Sequence, residues 1–174
     1  SEDLLKVLIK NKVNFFTGVP DSVLSKFTEV LEQNHIVAVN EGSAVAIAIG
    51  NYIKSKKISC VYMQNSGLGN SINPLISLAS KGIYSIPMVL LIGWRGMPGL
   101  TDEPQHKLQG KVTQKFLKLL NIKYIYIKKN NELNKIDNLI KFSKKNKEPV
   151  AILISNKTLS NKCNTKINYN LNNI

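Results

Sequence analysis

The 174 residues of this chain, 43% of them hydrophobic, are enough to bury one core, so we expect a single domain. Two cysteines cannot build the disulfide framework of a small secreted protein, and no apolar run approaches the roughly 20 residues of a membrane span. No signal-peptide pattern opens the sequence. The composition therefore favours a cytoplasmic protein that does not enter a membrane.

The net charge of +13 invites a comparison with nucleic-acid-binding proteins. Of the 24 basic residues, however, only Arg95 is an arginine, and lysine lacks the planar fork with which arginine reads bases and phosphates. We therefore predict no nucleic-acid partner, although the charge can steer an anionic substrate. A non-catalytic basic binding module is the remote alternative, and a gel shift at low salt would reveal it.

Short apolar stretches alternate with helical patterns along the whole chain. Alternation at this spacing is typical of a parallel, doubly wound sheet with right-handed crossovers. We expect an α/β fold, a three-layer α-β-α sandwich around a mostly parallel six-stranded sheet, over residues 1–155, followed by a linker or C-terminal extension over 156–174. The predicted strands are 14–18, 36–39, 59–64, 86–92, 123–127 and 150–154. The predicted helices are 1–12, about 22–34, 42–53, a segment ending at 80, 112–120 and 132–145.

The first predicted strand ends in G-V-P-D-S, residues 18–22. Glycine and proline interrupt the strand, and Asp21 or Ser22 is placed to cap the helix that follows. That helix carries Leu24, Phe27 and Leu31 on one face.

The stretch from 36 to 53 places a carboxylate where a strand passes into a helix. We predict that strand 36–39 is buried, which leaves Glu41 at its carboxyl end, where ligands bind in open α/β sheets. An apolar setting there would favour the protonated form of Glu41 and suit it to acid chemistry or to hydrogen bonding. The alternative is that Glu41 lies in the first helical turn and stabilises the helix dipole.

Two later loops also carry polar groups at strand ends. N-S-G-L-G-N, residues 65–70, permits a tight turn and a close approach of a ligand, although it is not a full dinucleotide-binding fingerprint. Residues 93–109 are predicted to be a long irregular segment, mobile until the active site fills. Within it, Arg95 is suited to clamp an oxyanion and His106 to move a proton. The alternative is that Asp102 and Glu103 begin a helix and that His106 is surface.

Four motifs in this order carry a resemblance to a known family: G-V-P-D-S at 18–22, N-E-G-S-A at 40–44, N-S-G-L-G-N at 65–70 and D-E-P-Q-H at 102–106. Together they resemble the phosphonopyruvate decarboxylase group of the thiamine-diphosphate-dependent decarboxylases. The alpha subunit of sulfopyruvate decarboxylase is a close relative of that group. The similarity covers roughly residues 14–127.

The resemblance implies that this chain is a pyrimidine-binding domain of such an enzyme. It implies decarboxylation of phosphonopyruvate, a small anionic 2-keto acid, to phosphonoacetaldehyde and carbon dioxide, with sulfopyruvate as the alternative substrate. Glu41 would bind the aminopyrimidine ring of the cofactor and pass it a proton. The implied catalytic residues are Glu41, Asp21 and His106; cofactor binding is assigned to Glu41, Asn65, Ser66 and Gly67. Arg95 is added as a substrate ligand from its own chemistry, together with Ser22.

The sequence differs from the family in one important respect. The G-D-G motif that the family uses to bind the diphosphate and Mg²⁺ is absent. We therefore predict no metal site in this chain and expect a partner domain or subunit to bind Mg²⁺. The chain is then either a separate subunit or one domain of a longer enzyme, inactive alone. We expect a homodimer or a higher oligomer.

Overall fold

The computed structural model describes residues 1–31, 34–128, 132–155 and 158. Within these ranges, six strands alternate with six α-helices. The strands are β1 (Phe15–Gly18), β2 (Ile36–Val37), β3 (Ser59–Gln64), β4 (Met88–Gly93), β5 (Lys123–Ile127) and β6 (Val150–Ile154). The helices are α1 (Glu2–Lys10), α2 (Ser25–Leu31), α3 (Glu41–Ser55), α4 (Leu68–Pro74), α5 (Pro104–Leu119) and α6 (Asn134–Asn146). A 3₁₀ turn, Asn65–Gly67, precedes α4, and a π-helical segment, Leu75–Ala79, continues it.

All the strands run parallel, in the order β2-β1-β3-β4-β6-β5. The central strands β3 and β4 pair over their whole length, from Ser59 opposite Met88 to Gln64 opposite Gly93. They are buried on both faces, as parallel strands between two helix layers are. The predicted α/β fold class is confirmed.

Two hydrophobic clusters, one on each face of the sheet, form the core. Alternate residues of β3 show the division, because Cys60 and Tyr62 belong to one cluster and Val61 and Met63 to the other. The first cluster includes residues of α1, α2 and α6, and the second includes residues of α3, α4 and α5. The two layers confirm the predicted three-layer sandwich.

The structure corrects two of the predicted elements. β2 is a two-residue strand at the edge of the sheet, with Ile36 and Val37 45% and 56% exposed, so the prediction of a buried strand over 36–39 was wrong. α5 begins at Pro104, well before the predicted start at 112, so the irregular stretch is shorter than predicted. The buried face of α5 consists of Gly110, Thr113 and Leu117, whereas Leu119 at its end is 82% exposed.

The end of the sheet lies close to the predicted domain boundary at 155. Ser155 is buried directly after β6, and its hydroxyl lies 3.2 Å from that of Thr158. The Thr158 hydroxyl donates to the carbonyl of Ile127 at 3.0 Å. The rest of the predicted extension lies outside the described residues. Of the helices in the described part of the chain, none has the length and apolar character needed to cross a bilayer.

Candidate active site

The candidate site lies at the carboxyl edge of the sheet, beside the neighbouring strands β1 and β3. The chain leaves β1 for α2 on one face of the sheet and leaves β3 for α4 on the other face. A switch point of this kind opens a crevice that serves as the ligand site in open α/β sheets. The loop 19–24 and the turn Asn65–Gly67 flank this crevice.

Glu41 is the first residue of α3. Asn40 caps the helix, since its side-chain oxygen accepts a hydrogen bond from the backbone N–H of Ser43 at 2.8 Å. The Oε2 of Glu41 accepts a hydrogen bond from the Asn70 amide at 2.8 Å, and a Cβ added to Gly67 would lie 2.5 Å from its Oε1. Glycine at 67 therefore leaves room for the carboxyl group. Its neighbours are a glycine and an amide, a more polar setting than the sequence led us to expect.

Asp21 lies in the loop after β1. Its Oδ1 accepts hydrogen bonds from the backbone N–H groups of Val23 at 2.5 Å and Leu24 at 3.3 Å, so Asp21 caps the turn that precedes α2 and not the helix itself. Its Oδ2 is buried and has no hydrogen-bond partner among the described residues, and a Cβ on Gly93 would lie 2.6 Å from it. Burial raises the pKa of Asp21, and the two backbone bonds and the charge of Arg95 offset this only partly.

Arg95, directly after the β4 exit, is held by a carboxylate and a hydroxyl. Its Nε and Nη2 donate to the two oxygens of Asp102, with the shortest distance 2.6 Å, and its Nη1 donates to Ser22 Oγ at 2.9 Å. Asp102 also accepts from the backbone N–H groups of Gly96 and Glu103. The hydrogen bond from Arg95 is the main cause that holds the pKa of Asp102 well below its usual range.

Asn65 connects the β3 exit to the loop after β4. Its amide nitrogen donates to the carbonyl of Arg95 at 2.9 Å and to Thr113 Oγ1 at 2.8 Å, and its oxygen accepts from the Arg95 N–H at 3.1 Å. The fully buried side chain therefore holds elements together, and its contact with a cofactor stays a prediction. Ser66, in contrast, is exposed, and its hydroxyl accepts from Gln64 Nε2 at 2.8 Å.

His106 lies near the start of α5 with a half-buried side chain. Its backbone N–H donates to the carbonyl of Glu103 at 2.9 Å, and a Cβ on Gly96 would overlap its carbonyl oxygen. Among the described residues, its ring makes no hydrogen bond to Asp21 or Glu41. The structure therefore places the backbone of His106 against Gly96, the residue that follows Arg95. The catalytic role of His106 stays a prediction.

Sequence reasoning missed two functional candidates. Asn70 was part of the N-S-G-L-G-N motif but received no role, although its amide holds Glu41. Asp102 was given a role only in the alternative in which it begins a helix, whereas it is the partner of Arg95. The signal available for Asp102 was a carboxylate seven residues after the chain's sole arginine, within one loop.

The described residues fit one end of thiamine diphosphate. The Oε1 of Glu41 accepts no hydrogen bond from the described residues and is therefore available to an aminopyrimidine ring. For the diphosphate end, the described part of the chain contains no group of three or more His, Cys, Asp or Glu side chains that could hold a metal ion. The acid chemistry of the site thus suits the ring of the cofactor better than its charged tail.

Comparison with known proteins places this geometry in a family. Phosphonopyruvate decarboxylase from Streptomyces viridochromogenes is 36% identical over 129 residues, which cover 72% of this chain and 32% of that protein. The corresponding enzyme from Streptomyces hygroscopicus is 39% identical over 117 residues, 65% of this chain and 28% of that protein. The chain therefore spans about a third of the length of these relatives. The alpha subunit of sulfopyruvate decarboxylase from Methanococcus maripaludis is 32% identical over 160 residues, which cover 88% of this chain and 93% of that subunit.

Among solved structures, benzoylformate decarboxylase from Polynucleobacter necessarius has a TM-score of 0.73 at 18% identity, covering 97% of this chain and 32% of that chain. A thiamin diphosphate-dependent enzyme from Mycobacterium smegmatis has a TM-score of 0.67 at 15% identity, covering 95% of this chain and 33% of that one. Both likenesses support the fold. Residues 1–117 match the family described as "Thiamine pyrophosphate enzyme, N-terminal TPP binding domain". The chain therefore belongs to the family of N-terminal, cofactor-binding domains of thiamine pyrophosphate enzymes.

Proposed function

We propose that this chain is the pyrimidine-binding part of a decarboxylase that converts phosphonopyruvate to phosphonoacetaldehyde and carbon dioxide. The observation that carries the proposal is the placement of Glu41 at the start of α3, with one carboxyl oxygen bound by Asn70 and the other facing Gly67. The similarity to two phosphonopyruvate decarboxylases supports the choice of substrate.

Glu41 would bind the aminopyrimidine ring of thiamine diphosphate and exchange a proton with a ring nitrogen. When bound, the cofactor supplies the electron sink for the charge left by the departing carbon dioxide, which no side chain can accept. Asn70 would keep the Glu41 carboxyl group in place. Gly67 and Ser66 would lie along the cofactor, on the turn that Asn65 fixes.

Asp21 and His106 are the candidates for returning a proton to carbon after carbon dioxide leaves. Burial raises the pKa of Asp21, so its carboxyl group keeps its proton to a higher pH than an exposed aspartate would. The unpartnered Oδ2 of Asp21 is the atom that would hold this proton. Arg95 and Ser22, joined by a 2.9 Å hydrogen bond, would bind the substrate.

Sulfopyruvate is the second candidate substrate, and one observation favours it. The chain covers 93% of the Methanococcus maripaludis alpha subunit but only 32% of a phosphonopyruvate decarboxylase. Both substrates are 2-keto acids with a second, tetrahedral acid group. Turnover of the two compounds by the same assembled enzyme distinguishes them.

We further propose that a partner domain or subunit with a G-D-G motif binds the diphosphate and Mg²⁺, since this sequence has no such motif. A homodimer or a higher oligomer and a cytoplasmic location remain part of the proposal. The proposal includes neither a membrane nor a nucleic acid as a partner.

The test is Glu41→Gln in the enzyme assembled with its diphosphate-binding partner, thiamine diphosphate and Mg²⁺. Because an amide cannot exchange the proton, we expect carbon dioxide release from phosphonopyruvate or sulfopyruvate to fall at least about a hundredfold, within the range of acid–base catalysis. The melting temperature should stay the same. Glu29→Gln, an exposed carboxylate on α2, is the matched control and should keep full activity. Turnover by Glu41→Gln at the wild-type rate would contradict the proposal.

A further inference from the structure

Arg95 is the chain's sole arginine, and its guanidinium group is only partly used by the protein. A guanidinium carries five N–H groups. One on Nε and one on Nη2 serve Asp102, and one on Nη1 serves Ser22. This leaves one N–H on each terminal nitrogen without a partner among the described residues. Two such N–H groups form the planar fork that binds an oxyanion in two places.

Asp102 fixes the direction of that fork. It takes the Nε side of the guanidinium and is itself held by the backbone N–H groups of Gly96 at 2.6 Å and Glu103 at 2.9 Å. Both side chains of the pair are largely buried, 17% exposed for Arg95 and 11% for Asp102. An arginine held in this way presents its remaining donors in one orientation, so less conformational freedom is lost when an anion binds.

The position of the pair fits a ligand at the crevice. Ser22 belongs to the loop after β1, and Asn65 of the β3 exit holds both the N–H and the carbonyl of Arg95. Arg95 is therefore connected to both flanks of the switch-point crevice, through its guanidinium to the loop 19–24 and through its backbone to Asn65. Elsewhere the chain uses lysine for its positive charge, and only this position has a guanidinium group, whose planar N–H donors can contact two oxygens of one acid.

We infer that Asp102 is a positioning residue for substrate recognition: it orients Arg95 so that the free N–H groups of Arg95, with Ser22 Oγ, receive the substrate's second, tetrahedral acid group. The inference rests on the proposed function, because it assumes a 2-keto acid that carries a phosphonate or a sulfonate. Asp102 does not touch the substrate and acts through Arg95.

The first experiment compares substrates with and without the second acid group, using Asp102→Asn in the assembled enzyme. We expect KM for phosphonopyruvate or sulfopyruvate to rise about tenfold or more while kcat changes little, as for a loss of uniform binding. The kcat/KM for pyruvate, which lacks the second acid, should change less than about twofold. Glu103→Gln removes the neighbouring, exposed carboxylate and should leave all three substrates unaffected. Equal losses on pyruvate and on the doubly acidic substrates would mean that Asp102 is only structural and would overturn the inference.

The second experiment does not depend on catalysis. A ¹⁵N-labelled chain has one arginine Nε–H resonance, because Arg95 is the only arginine. Phosphonoacetate and sulfoacetate, added separately, should shift this resonance in the wild type and in Glu103→Gln but not in Asp102→Asn, and acetate should shift it in none of them. The probe that shifts it more identifies the preferred acid. No shift with either probe in the wild type would refute the inference even if the assembled enzyme is a decarboxylase. A shift in a chain whose assembled enzyme fails to decarboxylate would refute the proposed function alone.

Discussion

At the scale of single residues, the buried carboxyl group of Asp21 opposes stability near neutral pH. Its folded-state pKa is raised by burial, so the folded chain holds this proton more tightly than the unfolded chain does. The contribution of Asp21 to the free energy of unfolding is therefore fully present below the unfolded pKa of about 3.9 and is lost as the pH rises through the folded pKa. For Asp102 the pH dependence is the opposite, because its pKa is lowered in the folded chain. Its ionised carboxylate stabilises the fold at pH values above the unfolded pKa, and this stabilisation is lost as the pH falls through the folded pKa.

We predict that Asp21→Asn raises the free energy of unfolding at neutral pH. Asparagine keeps an oxygen for the Val23 and Leu24 N–H groups but carries no charge to bury, and each unit of raised pKa is worth about 1.4 kcal/mol. Urea unfolding at pH about 7 and about 3 measures the effect, and the gain should vanish at the lower pH. Glu29→Gln, exposed on α2, should show no such pH dependence. A variant no more stable than the wild type at neutral pH would show that burial of the Asp21 charge costs nothing.

At the scale of elements, the sheet could be predicted more fully than the helix that flanks the site. β3, β4 and β6 are buried on both faces and leave a continuous apolar run in the sequence. β2 has the same β-branched composition but is exposed at the edge, and composition alone cannot distinguish the two. The start of α5 next to Glu103 was considered only as an alternative, because the first turns of this helix are polar, although Pro104 at the N-terminus was a usable signal.

The polar residues of the site could be predicted because the carboxyl ends of parallel strands share one edge. The pairing of Arg95 with Asp102 could not, because it depends on the path of a loop and on the direction of two side chains. Nor could the inward orientation of the Asn65 amide.

The packing of α5 gives a prediction at the same scale. A Cβ on Gly110 would overlap the carbonyl oxygen of Gly96, and the Gly110 carbonyl accepts a hydrogen bond from the Trp94 indole at 3.0 Å. Gly110→Ala should therefore destabilise the chain by about 1–3 kcal/mol from overpacking, despite alanine's better helix propensity. Gly50→Ala is the matched control, since Gly50 lies within α3 with nothing within 4 Å of its Cβ position, and it should stabilise by about 0.5–1 kcal/mol. Chemical denaturation measures the free energy of unfolding of both variants. Equal changes in this free energy would mean that α5 can move away from the loop.

At the scale of the whole molecule, the edge of the sheet beside Glu41 exposes apolar side chains. Val39 is 91% exposed, and Ile36 and Val37 of the edge strand β2 are 45% and 56% exposed. Exposed apolar groups near a functional site are typical of surfaces that bind another protein. In the proposed function Glu41 binds the ring of the cofactor, whereas the described residues include no group of three or more His, Cys, Asp or Glu side chains that could hold a metal ion for the diphosphate. Cofactor binding would therefore also require a second protein surface.

We therefore predict that the isolated chain self-associates, most simply as a two-fold dimer, and binds thiamine diphosphate weakly. Most of the ligand's charge lies on the diphosphate, for which the sequence provides no G-D-G motif. Contact with Glu41 alone should therefore give only weak binding. Titration calorimetry with Mg²⁺ present should give no measurable heat with this chain alone and strong binding once a G-D-G-containing partner is added. Light scattering on the same samples measures the oligomeric state. Micromolar binding by a chain shown by mass to be free of any partner would mean that the site is complete within one polypeptide, and a strictly monomeric chain would mean that the exposed apolar edge is stable in water.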